Sequence, residues 1–550
     1  MSKLEKPWIK HYPANVRYHL DYPELSLGQF FDQTVSKMPD SVAMIFEDQF
    51  TTYAQFGDKV NRMAAALADL GIVKGERVGL MGPNCPQWEI AFFAILKLGA
   101  IVVQTNPMYV EREIVHQMND SGATNIIVFE PLYPRVKNVL QEMSIQRVIL
   151  FNYAKAVEPA EDIYSFDELI ANHEPSPPNV NINPAEDIAV LQYTGGTTGV
   201  SKGVMLTHRN LISNALQALE WSLIMEYGKE RVLSVLPIFH VYGMSDCINY
   251  AIAIAATQII LPRFETDIVL EAIRKYQPTF FPGAPTMFMA INNHPRIAEY
   301  GESLAAVKVI FSGSAPLPLE VAQKFSAVTQ GRGNLLEGYG LSEASPTTHS
   351  NPLDRPTRAG SIGLPFPDTE CVIMDLETGD KELDLGEIGE LCVRGPQVMK
   401  GYWEKAEETA KTLRDGWLRT GDIARMDEEG FFYIVDRKKD MIIAGGYNIY
   451  PRDIEEVLYE HPKIKEVVVA GIPDSYRGET VKAYIVLKPD MEATEEEFIT
   501  FCRTKLAAFK VPRQVEFRDA LPRTIVGKVL RRQLVEEEIA RIQVAAESQS

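Results

Sequence analysis

Residues 193–203 read YTGGTTGVSKG, a stretch whose residue types and spacing suit phosphate. Gly195, Gly196 and Gly199 let the backbone bend freely and leave its N–H groups unobstructed. Thr194, Thr197, Thr198 and Ser201 add hydroxyl donors and Lys202 adds a cation, together a donor-rich cradle for an anion. The Walker pattern GxxxxGK[ST] fails here, because Lys202 follows Ser201 and precedes Gly203. Taken alone, such a loop is equally well a surface turn. A second source of cations lies near the C-terminus, in Arg523, Lys528, Arg531 and Arg532. The chain carries 55 Lys and Arg against 74 Asp and Glu, a net charge of −19. From Arg437 to Ser550, however, the counts are 19 and 19, so the whole deficit precedes that segment. An anionic ligand that needs cations is expected to lean on the last segment, above all on that basic run. The acidic balance argues against nucleic acid as a partner.

Positioning such groups requires a sizeable scaffold, and 550 residues are enough for several structural units. From Thr51 the sequence alternates helical and strand patterns. Thr52 and Gln55 have capping-box spacing, and Phe56, Val60, Met63, Ala64 and Leu67 then share one helical face. Residues 78–81 read as a buried strand, 86–98 as a helix entered through Pro86, and 100–104 as another strand. This alternation, recurring to about residue 350, predicts a parallel sheet with helices on both faces. Residues 173–184 (HEPSPPNVNINP) read as a linker or exposed loop. From Cys371, short strands punctuated by Gly386, Gly389, Gly395 and Gly401 predict a small β-rich unit. Beyond Asp436, a strand pair over 465–470 and 481–487 and a helix capped by Thr494 and Glu497, running to Ala507, predict a separate α+β domain.

Five cysteines (Cys85, Cys247, Cys371, Cys392, Cys502) without a CxxC pair fit a reducing compartment and neither a disulfide framework nor a zinc site. The N-terminus has no apolar core of the secretory kind. The most apolar window, 247–262, is short of the ~20 residues that span a bilayer. The expected location is cytoplasmic, with transient peripheral membrane contact allowed.

Seven motifs occur in order: the 193–203 loop, PIFHVYG at 237–243, SGSAP at 312–316, EGYGLSE at 337–343, DGWLRTGD at 415–422, DRKKD at 436–440 and PRTIVGK at 522–528. In this sequence and spacing they resemble the adenylate-forming superfamily of acyl-CoA synthetases, peptide-synthetase adenylation domains and beetle luciferases. Residues 415–440 look most like the fatty acyl-CoA synthetase signature. The resemblance implies an α/β fold: a large N-terminal domain of parallel-rich sheets over 1–436, including a small β-rich subdomain and holding ATP and the acyl chain. A small mobile α+β lid over 437–550 follows, hinged at Lys439.

The implied reaction has two halves. A carboxylate attacks the α-phosphorus of ATP and expels pyrophosphate, and a thiol, that of coenzyme A, then displaces AMP. Because the first half brings an anion onto a polyanion, charge neutralisation and alignment outweigh proton transfer. By the resemblance, Lys528 bridges carboxylate and α-phosphate, Glu343 holds magnesium, and Thr194 or Thr197 completes the metal and phosphate contacts. Asp422 and Arg437 reach the ribose, and Tyr339 stacks on adenine opposite Gly313, Ser314 and Ala315. Glu337, Gly338, Gly340, Leu341 and Ser342 complete the nucleotide wall. His240, in an apolar stretch where a histidine is ordinarily a core residue, is placed beside the reacting carboxylate. Pivoting at Lys439 presents Lys528 first and then the face around Gly445, Gly446 and Tyr447 for the thiol.

Three positions depart from the family pattern: Gly195 for Ser/Thr, Ser201 for Pro and Ser342 for Thr. The implied activity is ATP-dependent ligation of a medium- or long-chain fatty acid to coenzyme A by a monomer or homodimer. The alternatives are an acyl-AMP ligase that loads an acyl-carrier protein, and an aryl or short-chain acid–CoA ligase. His240 stands where peptide-synthetase enzymes commonly carry an aspartate, and the stretch after Lys528 is too short for a carrier domain. The terminal Ser-Gln-Ser is no peroxisomal address.

Overall fold

The computed structural model describes residues 6–155, 157–159, 163–194, 201–332, 335–444, 447–474, 477–524 and 528–547. The predicted alternation is present but builds two large sheets rather than one. Nine strands form the first, with six consecutive parallel members: Leu335–Gly340, Val309–Ser312, Phe280–Gly283, Arg231–Ser234, Thr257–Ile260 and Val42–Phe46. Eight form the second, around parallel Ile188–Thr194, Ile101–Thr105, Arg77–Met81 and Asn125–Phe129. One apolar cluster runs between them. The Tyr53–Asp69 helix shows why the local signals suffice: Thr52 and Gln55 close the capping box, and Phe56, Val60, Met63, Ala64 and Leu67 are all fully buried. Pro86–Lys97 is apolar all round and buried accordingly.

The glycine-punctuated stretch folds as an antiparallel sheet, Glu370–Met374, Gly389–Arg394, Trp417–Met426 and Leu413–Arg414, with Phe432–Arg437 pairing alongside Trp417–Met426. Arg437 ends that last strand. Ile442–Ala444 begins a further sheet, in which Ile464–Asp474 and Gly478–Leu487 pair antiparallel around their own apolar clusters. Here one helix is shorter than expected. Thr494 accepts from the Glu497 N–H as predicted, but the helix is Glu495–Arg503, not continuing to Ala507. The Lys505 and Leu506 N–H groups both fold back onto the Cys502 carbonyl. The chain thereby turns to lay Gln514–Phe517 parallel to Gly478–Leu487. The apolar 247–262 window is divided between a helical segment and the Thr257–Ile260 strand. Among the described residues no helix is long and apolar enough to cross a membrane.

Candidate active site

Parallel α/β sheets open a crevice at the carboxyl ends of their strands, and there the predicted residues converge. Beyond Arg231–Ser234, the Asn84 side chain accepts from the Ile238 N–H (3.0 Å) and donates to the Leu236 carbonyl (2.8 Å), fixing the approach to His240. His240 caps the helical turn that follows, its Nδ1 accepting from the Tyr242 N–H at 3.2 Å. Desolvation, and then the nearby Lys528 cation, push its pKa down to about 4. The ring is therefore neutral at pH 7. With Nδ1 occupied as an acceptor, its proton sits on Nε2, a donor available to an anion.

Tyr242 also organises the neighbouring strand ends. Its hydroxyl lies 3.1 Å from the Gly283 carbonyl and 3.2 Å from that of Phe311. Its ring closes under Gly313, where an added Cβ would come within 3.0 Å of Cζ. Ser314 takes a left-handed conformation (φ 68°), and the buried hydroxyls of Ser312 and Ser314 have no hydrogen-bond partner among the described residues. Glu337 has a partner within the fold. It is buried, and its Oε1 accepts from the Leu317 N–H at 3.1 Å, so it braces the loop after Ser314. Tyr339, half-buried, donates its hydroxyl proton to Asp422 Oδ2 (2.5 Å).

Asp422 stands directly opposite Arg437 in the antiparallel pair, with Arg437 Nε 3.5 Å from Oδ1. The strand enters this position through Gly421 (φ 73°), a conformation that favours glycine. The carboxylate, the guanidinium and the phenol thus form one polar edge. Glu343, in the Ser342–Ala344 turn, accepts the Tyr402 hydroxyl proton on Oε1 at 2.8 Å, and Oε2 has no hydrogen bond among the described residues. Tyr402 carried no sequence signal, because it reaches Glu343 only through the pairing of Gly401–Tyr402 with Lys202–Thr207. A single carboxylate suits magnesium, which keeps few protein ligands alongside phosphate oxygens and water.

Thr194 and Lys202 face each other at the end of an antiparallel hairpin. The loop between them, with Gly195, Gly196, Thr197, Thr198 and Gly199, lies outside the described residues, as do Gly445 and Gly446. Lys202 does not present a free charge to phosphate here. Its Nζ is 2.6 Å from Glu408 Oε2 and lies over the Tyr402 ring.

The basic run near the C-terminus needs a similar correction. Arg523 pairs with Glu466, Arg531 with both Asp440 and Glu455, and Arg532 with Glu536. These cations are neutralised inside the small domain. Lys528 differs. Its N–H donates to Thr524 Oγ1 (3.1 Å), and the Arg523–Val529 bridge closes the turn that presents it. Desolvation, then the repulsion of Arg437, lower its pKa to about 7, with Lys439 adding to the effect and Asp422 and Asp440 opposing it. Lys528 thus stands in the crevice, within electrostatic reach of His240, Asp422 and the 437–440 turn. Three cations there face two carboxylates, a surplus suited to a polyphosphate.

Against the helical segment after His240 lies an apolar cavity of about 30 Å3. Its walls are Trp221, Phe280, Phe311 and Leu336 on one side, and Asp246 and Tyr250 from the helical segment after His240 on the other.

Residues 31–403 match the AMP-binding enzyme family, and residues 453–528 match the AMP-binding enzyme C-terminal domain. The chain is 45% identical over 559 residues to the long-chain-fatty-acid–CoA ligase of Bacillus subtilis (strain 168), covering 97% of this chain and 98% of that protein. It also resembles the crystal structure of ATP-bound MatB from Rhodopseudomonas palustris (TM-score 0.85, 29% identity, 93% of this chain and 99% of that one). The apo structure of the same protein gives a TM-score of 0.75 at the same identity and coverage.

Proposed function

This chain belongs to the AMP-binding enzyme family, and from that premise we propose how its residues carry out the reaction of an AMP-forming long-chain fatty acid–CoA ligase. The acid is activated as acyl-AMP with loss of pyrophosphate, and the acyl group then passes to coenzyme A. The observation that carries the reading is the convergence of Lys528, His240 and the Asp422–Arg437 pair at the carboxyl ends of one sheet. These groups supply what joining a carboxylate to a triphosphate needs: positive charge at the point of attack, a neutral donor, and a fixed edge for the sugar.

Asp422 accepts from the ribose hydroxyls, with Arg437 alongside. Tyr339 lies against the base, its ring held by the hydroxyl bond to Asp422. The unpartnered Ser312 and Ser314 hydroxyls fit a ligand edge, since buried polar groups ordinarily find partners. Thr194 and the glycine-rich loop hold the phosphates. Glu343, oriented by Tyr402, would hold magnesium against them, and that ion would neutralise phosphate charge. His240 donates from Nε2 to the incoming carboxylate, and protonated Lys528 spans carboxylate and α-phosphate, so that attack proceeds between fixed partners. The higher likeness to an ATP-bound relative than to its apo form supports reading this as the adenylating arrangement.

Coenzyme A then meets the adenylate after the small domain turns about Lys439, withdrawing Lys528 and bringing up the Gly445–Gly446–Tyr447 face. The acyl tail lies between the helical segment after His240 and the strands carrying Phe280, Phe311 and Leu336, where the side chains around the cavity part to admit it. Supplying ATP, magnesium and a ladder of acids from acetate to oleate, with and without coenzyme A, tests the reading. Acyl-CoA from the long acids is expected. Acyl-AMP that never becomes acyl-CoA would point to a carrier protein as acceptor, and no AMP from any acid would overturn the proposal.

A further inference from the structure

The helix that begins at His240 is not regular. Val241–Gly243 is α-helical, Met244–Asn249 forms a π turn, and Tyr250–Ile254 resumes the α form. Such wide turns cluster at functional sites, where they re-aim side chains. Here the turn and its exit aim two polar groups, Asp246 and Tyr250, into an otherwise largely apolar cavity. Both are more than nine-tenths buried. Among the described residues the Asp246 carboxyl forms neither a hydrogen bond nor an ion pair, and the Tyr250 hydroxyl has no hydrogen-bond partner. The Ser222 hydroxyl, near enough to act on the Tyr250 phenol, gives its own proton to the Ala218 carbonyl at 2.8 Å.

Burying a carboxyl and a phenol without partners is unfavourable, so such groups mark a place where something else completes them. Desolvation raises the Asp246 pKa to about 8. The carboxyl is thus mostly protonated at neutral pH, a hydrogen-bond donor as well as an acceptor. Asp246 and Tyr250 lie roughly 9–15 Å along the helix from His240, at ~1.5 Å per residue. That distance corresponds to the middle of a long acyl chain, far from its carboxylate.

We propose that Asp246 and Tyr250 make the acyl pocket selective for fatty acids bearing a hydroxyl or keto oxygen in mid-chain. The inference rests on the acyl-activation reading above and adds the substrate class. The oxygen meets the two side chains, whereas plain methylenes would dehydrate them and leave them unpaired. Sites built to bond a polar substituent reject the analogue that lacks it far more strongly than apolar pockets discriminate by size.

The test supplies the full-length enzyme with ATP, magnesium and coenzyme A. It compares kcat/KM for stearate with values for its mid-chain hydroxy and keto positional isomers. At least one isomer is expected to exceed stearate by about tenfold. In Asp246→Leu and in Tyr250→Phe the ratio should collapse, and stearate itself should improve in Asp246→Leu. If Asp246→Leu fails to fold, Tyr250→Phe decides, since it removes one oxygen and keeps the ring. Acyl-CoA from stearate with no gain for any isomer, or a ratio unchanged in the folded variants, overturns this inference alone. No acyl-AMP from any acid overturns the activation reading and this inference with it.

Discussion

In the proposed reaction adenylation turns on Lys528, and the surroundings of this lysine make its charge conditional. A lysine held near pKa 7 by desolvation and by Arg437 is protonated below that pH and neutral above it. Only the protonated form spans two anions. In the ligand-free enzyme, kcat/KM for ATP should therefore fall as pH rises through about 7. His240, at about 4, stays neutral across that range and contributes no limb of its own. Lys528→Arg should remove the inflection, because a guanidinium does not deprotonate there; a profile identical in wild type and Lys528→Arg would show that another group titrates. Lys528→Ala should lower adenylation by about 10²–10³, the range for losing one preorganised charge donor. Acyl-AMP supplied directly should still be converted to acyl-CoA. Equal losses in both halves, in a folded variant, would remove the separate role given to this lysine.

The strands fix where these side chains can stand, and Leu335–Gly340 shows how little room they leave. A Cβ on Gly338 would fall 2.0 Å from Phe311 Cζ and 2.5 Å from Cε2. Phe311 in turn lines the cavity and offers its carbonyl to Tyr242. Gly338→Ala should therefore cost ~1–3 kcal/mol, as overpacking does, and also weaken ATP binding, because Tyr339 follows directly. Thermal melts with and without ATP check both effects, and unchanged melts would mean that the ring swings away freely. Much at this scale is legible in the sequence. The capping box at Thr52 and Gln55 and the buried face after it are local patterns, and the motifs that carry His240, Tyr339 and Asp422 are recognised from their residues and order without any tertiary knowledge. What escapes the sequence is partnership. Lys202 meets Glu408, Glu343 meets Tyr402, and Arg531 meets Asp440 and Glu455 across 59 to 206 positions of chain. A count of charges sees four available cations near the C-terminus, where three are already paired.

At the scale of the whole molecule, polar contacts between the two domains gather beside the 437–440 turn. Asp436 accepts from the Arg452 N–H at 3.0 Å, the Arg452 guanidinium donates to the Ile434 carbonyl at 2.8 Å, and Lys438 Nζ lies 3.1 Å from Glu390. The small domain keeps separate apolar clusters, so it can turn without disturbing either core, and loss of these few polar contacts is what the turn requires. Among the described residues the backbone–backbone hydrogen bonds given by 437–441 run from the N–H groups of Lys438, to Gly421, and of Asp440 and Met441, to Arg437. The Lys439 N–H is in none of them, so a proline at 439 removes no donor. It would, however, lock φ near −65° and restrict Lys438 before it. Lys439→Pro should thus strain the turn seen here, whose Arg437–Asp440 bond closes over Lys438 and Lys439, and hinder the rotation that follows still more. Acyl-AMP formation, followed as pyrophosphate release in single turnover, should fall by the smaller factor. Conversion of supplied acyl-AMP to acyl-CoA should fall much further, by a factor of ten or more (a barrier increase of about 1.4 kcal/mol). The contrast with Lys528→Ala is the decisive measurement, since that variant should lose the first half and keep the second. If Lys439→Pro slows both halves alike, domain rotation at this turn does not separate the two reactions, and one arrangement of the lid must serve both.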